Sequence, residues 1–217
     1  MNDDGVESGL PIASPPFDAG EGGDTGSVGG VVLAAGTSDR FGAENKLLAT
    51  VDGEQIVRRA VRTLVSAGIA PVVVVVGHEA DAVGGALRGL DVETVRNESY
   101  ASGQASSVRA GIEVLEREHD VEAAVIALGD MPFVDPETVE TLVSAYRNEV
   151  GDALAAATGG KRGNPVLFDR RFVAELTAIG GDTGGRRILL ESDASALVEV
   201  DDDGVRRDID ESSDLQN

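Results

Sequence analysis

The chain has 217 residues, 41% of them hydrophobic but only 3% aromatic, with 39 acidic against 18 basic residues and a formal net charge of −21. One domain of that length buries roughly 70% of its unfolded surface, so Val, Leu, Ile and Ala can build a core without cross-links. The charge disfavours nucleic-acid and membrane partners by repulsion over the whole surface. With no cysteine in the chain, disulfides, thiolate metal sites and a cysteine nucleophile are excluded.

The acidity and the scarcity of lysine fit a surface adapted to high salt, where screening removes self-repulsion. No apolar run reaches the length of a membrane span, and no basic stretch followed by an apolar one marks a secretory signal. A cytoplasmic protein is expected. Residues 1–27, "MNDDGVESGLPIASPPFDAGEGGDTGS", are rich in Gly, Pro, Asp and Ser without periodicity. They are expected to form a disordered tail before a domain spanning 28–217, because such a segment cannot offset its ordering entropy by burial.

From Val28 onward the pattern alternates. "VGGVVLAA" reads as a buried strand, and "EQIVRRAVRTLVSAG" as a helix with Ile56, Val57, Ala60, Val61, Leu64 and Val65 at helical spacing and Gly68 as its stop. "PVVVVVGH" has five consecutive β-branched residues, as a strand buried on both faces requires. "ADAVGGALRGL" is a weaker helix, "VETVRNES" holds a short strand, and "ASSVRAGIEVLEREH" is a helix with Val108, Ile112 and Leu115 on one face. "EAAVIALGD" is another buried strand, after which Asp135 and Pro136 mark a helix start as cap and first-turn residue. "ALAAAT", "NPVLFD" and "ALVEV" read as strands, and "RRFVAELTAIG" and "TGGRRILLES" as short helices. Apolar strands alternating with helices predict an α/β fold: three layers around a doubly wound, mainly parallel sheet of Rossmann-like type. In such sheets ligands sit at the carboxyl ends of the strands, near the switch in strand order.

The residues after the strands are therefore the candidates. Ala34-Ala35-Gly36-Thr37-Ser38 follows the first strand; small residues let successive backbone N–H groups approach an anion. Arg40 and Lys46 follow, and Lys46 is one of only two lysines in the chain. Neither the G-x-G-x-x-G fingerprint nor a P-loop is present, so the residues alone leave a phosphate loop or an ordinary turn open. Asp130 stands at the end of the apolar run 123–128, where it could hold a divalent cation beside a polyphosphate or simply form a turn. Asp208-Ile209-Asp210 puts two acids on one face of an extended segment. "SGQASSVRAG" leads small residues into a helix N-terminus suited to an anion or a base edge. His78 and His119 are the only imidazoles and make a weak zinc case, and no G-x-S-x-G elbow supports a hydrolase triad.

"LAAGTSDRFGAENK" and the downstream "ALGDMPFV" together resemble the MobA-like nucleotidyltransferases, whose signature L-A-A/G-G-x-S-x-R-x-G plus a following Lys is matched at Leu33, Ala34, Ala35, Gly36, Ser38, Arg40, Gly42 and Lys46. The second block matches at Leu128, Gly129, Asp130 and Pro132. Within the family the chain looks most like the molybdenum-cofactor cytidylyltransferases: the first loop reads Ala-Ala-Gly, "GQASSVRAGI" is similar to that branch's block before a helix, and "GNPVLF" and "GDTGGRRIL" look like its late blocks. It departs from the branch at Phe41, Asn164 and Gly185, where Met, His and Ala are common.

The resemblance implies nucleotide binding by Leu33, Ala34, Ala35 and Gly36, and neutralisation of a triphosphate by Arg40 and Lys46 in catalysis. It implies Mg²⁺ held by Asp130 and Asp210, base or ribose contact by Ser107, and an acceptor side lined by Gly163, Asn164, Pro165 and Asp182. The implied reaction transfers CMP from CTP to a phosphorylated acceptor, molybdopterin foremost. The same first loop would serve methylerythritol phosphate, a sugar phosphate or a phospholactate as acceptor. A second reading is a non-catalytic nucleotide-binding partner of molybdoenzyme maturation. An in-line attack on the α-phosphorus needs cations and no protein nucleophile.

Overall fold

The apolar runs become strands of one sheet in a computed structural model of the chain that describes residues 9–17, 27–38, 41, 44–178, 180 and 185–216. In chain order the strands are β1 (Ile12–Ala13), β2 (Ser27–Ala34), β3 (Thr50–Val51), β4 (Glu54–Gln55), β5 (Val72–Val76), β6 (Glu93–Arg96), β7 (Val121–Leu128), β8 (Ala153–Thr158), β9 (Lys161–Asp169) and β10 (Ser195–Glu199). The helices are α1 (Ile56–Ser66), α2 (Ala80–Ala86), α3 (Gln104–Glu118), α4 (Pro136–Arg147), α5 (Val173–Ala178) and α6 (Arg186–Glu191). Eight strands form the sheet in the order β1-β10-β8-β9-β7-β2-β5-β6, with β3 and β4 a separate hairpin. Only β9 runs antiparallel to its sheet neighbours. The doubly wound, mainly parallel expectation holds.

The pleat explains why the strands are apolar throughout. Val32, Val74 and Val76 face the layer of α1, α2 and α4, while Val31, Val73 and Val75 face α3, α5 and α6. All five valines of β5 are buried, so both faces are desolvated and each valine adds to one of two cores. The chain runs outward from β2 through β5 to β6, then returns so that α3 leads into β7 on the other side of β2. The switch in strand order thus lies between β2 and β7, whose carboxyl ends carry Ala34 and Leu128.

Two details differ from expectation. Residues 9–17, expected within a disordered tail, include β1, which pairs with β10 in parallel (Ile12 with Leu197, Ala13 with Val198). Edge backbone on β10 supplied partners that no side-chain pattern in the tail announces; residues 1–8 and 18–26 lie outside the described residues. The expected cap of α4 also changes. Asp135 occupies the N-cap position without a side-chain cap bond. Instead Asp202 Oδ2 accepts the Asp135 N–H (3.0 Å) and the Thr138 hydroxyl (2.7 Å), and its Oδ1 accepts the Gly204 N–H (2.8 Å). A carboxylate 64 positions from Thr138 caps this helix, which local sequence rules cannot foresee. No helix among the described residues is long and apolar enough to cross a membrane.

Candidate active site

The loop after β2 is folded back on itself by its own polar side chains. Ser38 has a positive φ of 59° and its Oγ accepts the Lys46 N–H (3.2 Å) while donating to Asn45 Oδ1 (3.3 Å). Asn45 Oδ1 also accepts the Leu47 N–H (3.1 Å), starting the short 3-10 turn Lys46–Leu48, and Leu47 is buried in the core. These contacts bring Lys46 back beside the sheet end that the chain left at Ala34. Among the described residues the buried Asn45 Nδ2 has no hydrogen-bond partner.

Lys46 Nζ lies 2.7 Å from Asp130 Oδ2 and 2.9 Å from Asp210 Oδ1. Gly129 allows the first of these contacts: its N–H donates to Leu33 O (2.9 Å), and a Cβ there would crowd that carbonyl and Ala34. This close approach holds the end of β7 against β2. Asp210 arrives from 80 residues later because Ile209 is wholly buried and its N–H donates to Asp130 O (3.0 Å). Burial alone would lower the pKa of Lys46; the charges and hydrogen bonds of Asp130 and then Asp210 outweigh it and hold the ammonium above the ordinary lysine value. Asp208, exposed beside this cluster, has its carboxyl pushed up by partial desolvation and by Asp130 and Asp210.

An ammonium thus stands between two convergent carboxylates, the position a divalent cation takes between hard oxygen donors. Among the described residues no group of three His, Cys, Asp or Glu side chains forms a complete metal cage. Two convergent carboxylates are the kind of donor set that holds a hard divalent cation together with water and substrate phosphates. The donor set therefore fits a divalent cation shared with a bound polyphosphate.

An open pocket of about 610 Å³ adjoins this cluster. Leu33, Ala35, Gly36, Ser107 and Asp130, all expected at the site, line it, together with Thr37, Tyr100 and Gln104. A second pocket of about 370 Å³ shares Leu33, Gln104 and Leu128 with the first and is lined by Arg162, Asn164, Val166, Gly185, Arg186 and Leu189. Of the expected acceptor residues, Asn164 opens into it. Gly163 is buried against Val205, whose carbonyl a Cβ would strike, and Pro165 lines a small cleft with Thr63 and Met131 instead. The pleat of β9 sends 162, 164 and 166 one way and 163 and 165 the other. Ala34 likewise turns its side chain into the α1, α2 and α4 layer, leaving only its backbone near the loop. Arg40 and Asp182 lie outside the described residues.

Sequence reasoning missed Arg162, Arg186, Gln104 and Asn97. Period-two alternation from Asn164 would have found Arg162, and Gln104 and Arg186 stand within blocks already singled out. Asn97, in a loop ten residues before Ser107, carries no pattern of its own. Of the imidazoles, His78 sits partly exposed with Tyr100 6.3 Å from its ring, and His119 lies 3.4 Å from Glu93.

Residues 30–196 match the MobA-like NTP transferase domain. The chain belongs to the MobA-like NTP transferase family, a family of nucleotidyltransferases. It is 29% identical over 194 residues to a protein named nicotine blue oxidoreductase from Paenarthrobacter nicotinovorans, covering 86% of this chain and 94% of that one. It is 34% identical over 155 residues to the bifunctional protein GlmU of Agrobacterium fabrum, covering 69% of this chain; there the match spans only 33% of the relative's length. Among solved structures, Rv0371c from Mycobacterium tuberculosis H37Rv superposes with a TM-score of 0.73 at 27% identity, over 88% of this chain and 95% of that one. Its complex with manganese superposes with a TM-score of 0.69. A nucleotidyl transferase from Methanothermobacter gives a TM-score of 0.72 at 26% identity, over 88% and 94% of the two chains. As a MobA-like NTP transferase, the chain has its first matched block at the carboxyl end of β2 and its second at that of β7.

Proposed function

We propose that this protein transfers CMP from CTP to a phosphorylated acceptor, with Mg²⁺ bound at Asp130 and Asp210, releasing pyrophosphate, and that it does so in the cytoplasm. The observation that carries this reading is the meeting of Lys46, Asp130 and Asp210 at the β2/β7 switch point, beside a pocket large enough for a nucleotide. An acceptor phosphate oxygen bonds to the α-phosphorus as the bond from that phosphorus to the α–β bridging oxygen breaks; that oxygen leaves with the pyrophosphate. Lys46, and Arg40 from the same loop, offset the charge on the leaving group. Mg²⁺, when bound, neutralises the phosphates and orients the triphosphate. Ala35 and Gly36 let the ligand approach the backbone closely, and Ser107 contacts the base or ribose.

The acceptor we favour is molybdopterin, with a molybdoenzyme or its maturation factor as the receiving partner. The late blocks "GNPVLF" and "GDTGGRRIL" support that choice, as does the second pocket. Its walls of Leu33, Val108, Ile126 and Leu189 suit a flat ring system, and Arg162, Asn164 and Arg186 suit its anionic and amide-like edges. Gly163 and Pro165 would shape that side from behind, and Asp182 is assigned to it by the resemblance alone. Methylerythritol phosphate, sugar phosphates and phospholactate are the competing acceptors.

The oxidoreductase name of the Paenarthrobacter relative gives a second reading some footing, since that similarity runs the length of the domain. Lys46 with its two carboxylates favours phosphoryl chemistry over it. A screen of CTP, GTP, UTP and ATP against these acceptors in Mg²⁺ buffer at high salt, read by pyrophosphate release, tests the proposal. Release that needs CTP and molybdopterin is expected. No release with any pair, in protein shown to be folded, would overturn it and leave the non-catalytic or oxidoreductase reading. The high-salt condition follows from the net charge of −21.

A further inference from the structure

The Asn97 side chain is buried, 6% exposed, and every one of its hydrogen-bonding groups is spent in a fixed sense. The Ser99 N–H donates to Asn97 Oδ1 (2.9 Å), which settles which end of the amide is the oxygen. Asn97 Nδ2 then donates to Ser106 Oγ (2.8 Å) and to Ser107 Oγ (3.0 Å). The backbone N–H of Asn97 is tied to Val76 O (2.8 Å), so the residue hangs rigidly from the end of β5.

The two serines differ in what this leaves them. Ser106 passes its own proton on to Ser99 O and Gly103 O (3.1 and 2.8 Å). Ser107 is 5% exposed and lines the larger pocket opposite Ala35 and Gly36. It accepts from Asn97, and among the described residues nothing accepts its hydroxyl proton in return. A hydroxyl has one proton to give; with a lone pair already engaged by an amide, that proton is free for the pocket.

We propose that Asn97 is a positioning residue that makes Ser107 a hydrogen-bond donor to the bound nucleotide, so that the site selects an acceptor atom on base or ribose at that point. This rests on the nucleotide-binding reading above. A carboxamide at position 97 sets the polarity of the Asn97–Ser107 pair, and a carboxylate would reverse it. Asn97→Asp keeps the shape, cannot donate, and draws the Ser107 proton to itself, turning lone pairs toward the ligand.

The test is titration of CTP in Mg²⁺ buffer by calorimetry, with kcat and KM from pyrophosphate release, for wild type, Asn97→Asp, Ser107→Ala and the double variant. Each single variant is expected to weaken CTP binding and raise KM by about ten-fold, with kcat changed by no more than a few-fold. The double variant is expected to be no weaker than either single one, because both remove the same contact. Equal CTP affinity in wild type and Asn97→Asp, or losses that multiply in the double variant, would overturn the proposal while leaving nucleotide binding intact. Wild-type protein that takes up no nucleoside triphosphate would instead sink the nucleotide reading and this inference with it. Should Asn97→Asp fail to fold, Ser107→Ala decides alone: wild-type affinity in that variant refutes Ser107 as donor.

Discussion

Replacing Lys46 with methionine separates two jobs of one ammonium. In the metal-free protein it holds Asp130 and Asp210 together, with 13% of its side chain exposed against 22% and 42% for theirs. Removing one partner costs about 3–5 kcal/mol in a buried pair and about 0.2–1 kcal/mol in an exposed one. This triad lies between those limits, so about 2–3 kcal/mol is expected. In a domain of this size each kcal/mol moves Tm by about 2–4 °C, which places the variant roughly 5–10 °C below wild type in chelator. The two carboxylates remain, now without the Lys46 ammonium between them. Mn²⁺ should therefore bind nucleotide-free Lys46→Met more tightly than wild type and recover more of its Tm; ligand at a hundred times its Kd adds about 2.7 kcal/mol. Calorimetric melts with and without MnCl₂ measure both effects. Identical metal-free melts, or equal Mn²⁺ shifts in the two proteins, would refute the idea that the ammonium stands in the cation's place. On the proposed mechanism, turnover of the variant should still fall by on the order of 100-fold, because the charge assigned to the leaving group is gone.

Three further outcomes are expected. Asp130→Asn keeps the side-chain shape but not its charge, and should lower pyrophosphate release by on the order of 100-fold with an unchanged circular dichroism spectrum; near-normal release would remove Asp130 from the mechanism. Gly163→Ala drives a Cβ into the carbonyl of Val205 and should lower the urea midpoint by about 1–3 kcal/mol worth of stability, whereas a surface glycine such as Gly84 has open space for the same change. Tyr146→Phe removes the bond from the Tyr146 hydroxyl to Asp169 Oδ2 (2.6 Å), with an expected cost of about 1.5 kcal/mol at neutral pH. Burial first, and Asp169 second, raise the pKa of that phenol, so its stabilising contribution is complete below the unfolded value near 10 and fades as pH rises above it. The gap between wild type and Tyr146→Phe should then narrow between neutral pH and about pH 11; a gap that widened would contradict the sign.

Part of the candidate site is local in the chain and is therefore legible in the residues. Lys46 stood out because the chain otherwise nearly avoids lysine, and Asp130 because it ends an apolar run. Both are consequences of what a strand end exposes. Asn97 was illegible for the opposite reason: its meaning lies in two hydroxyl groups nine and ten positions away, reached only once α3 has packed beside the end of β5. Asp202 hides in an acidic stretch where nothing separates it from Asp201 and Asp203 until one carboxylate is found buried at the start of α4.

Period and composition settled the main strands and helices, though not β1 or the β3–β4 hairpin, that the central strands are buried on both faces, and that any ligand would be sought at their carboxyl ends. Those properties depend on neighbours within a few residues and on the burial of apolar area, which a linear pattern encodes directly. Strand order, the docking of residues 12 and 13 on β10, and the choice of Asn164 over Gly163 and Pro165 as the pocket-facing residue came only from tertiary structure. So did the convergence of Asp210 on Lys46 across 164 positions. Contacts of that kind depend on how two distant strand ends are packed, and hydrogen bonds a few ångströms long form only after the core has fixed that packing.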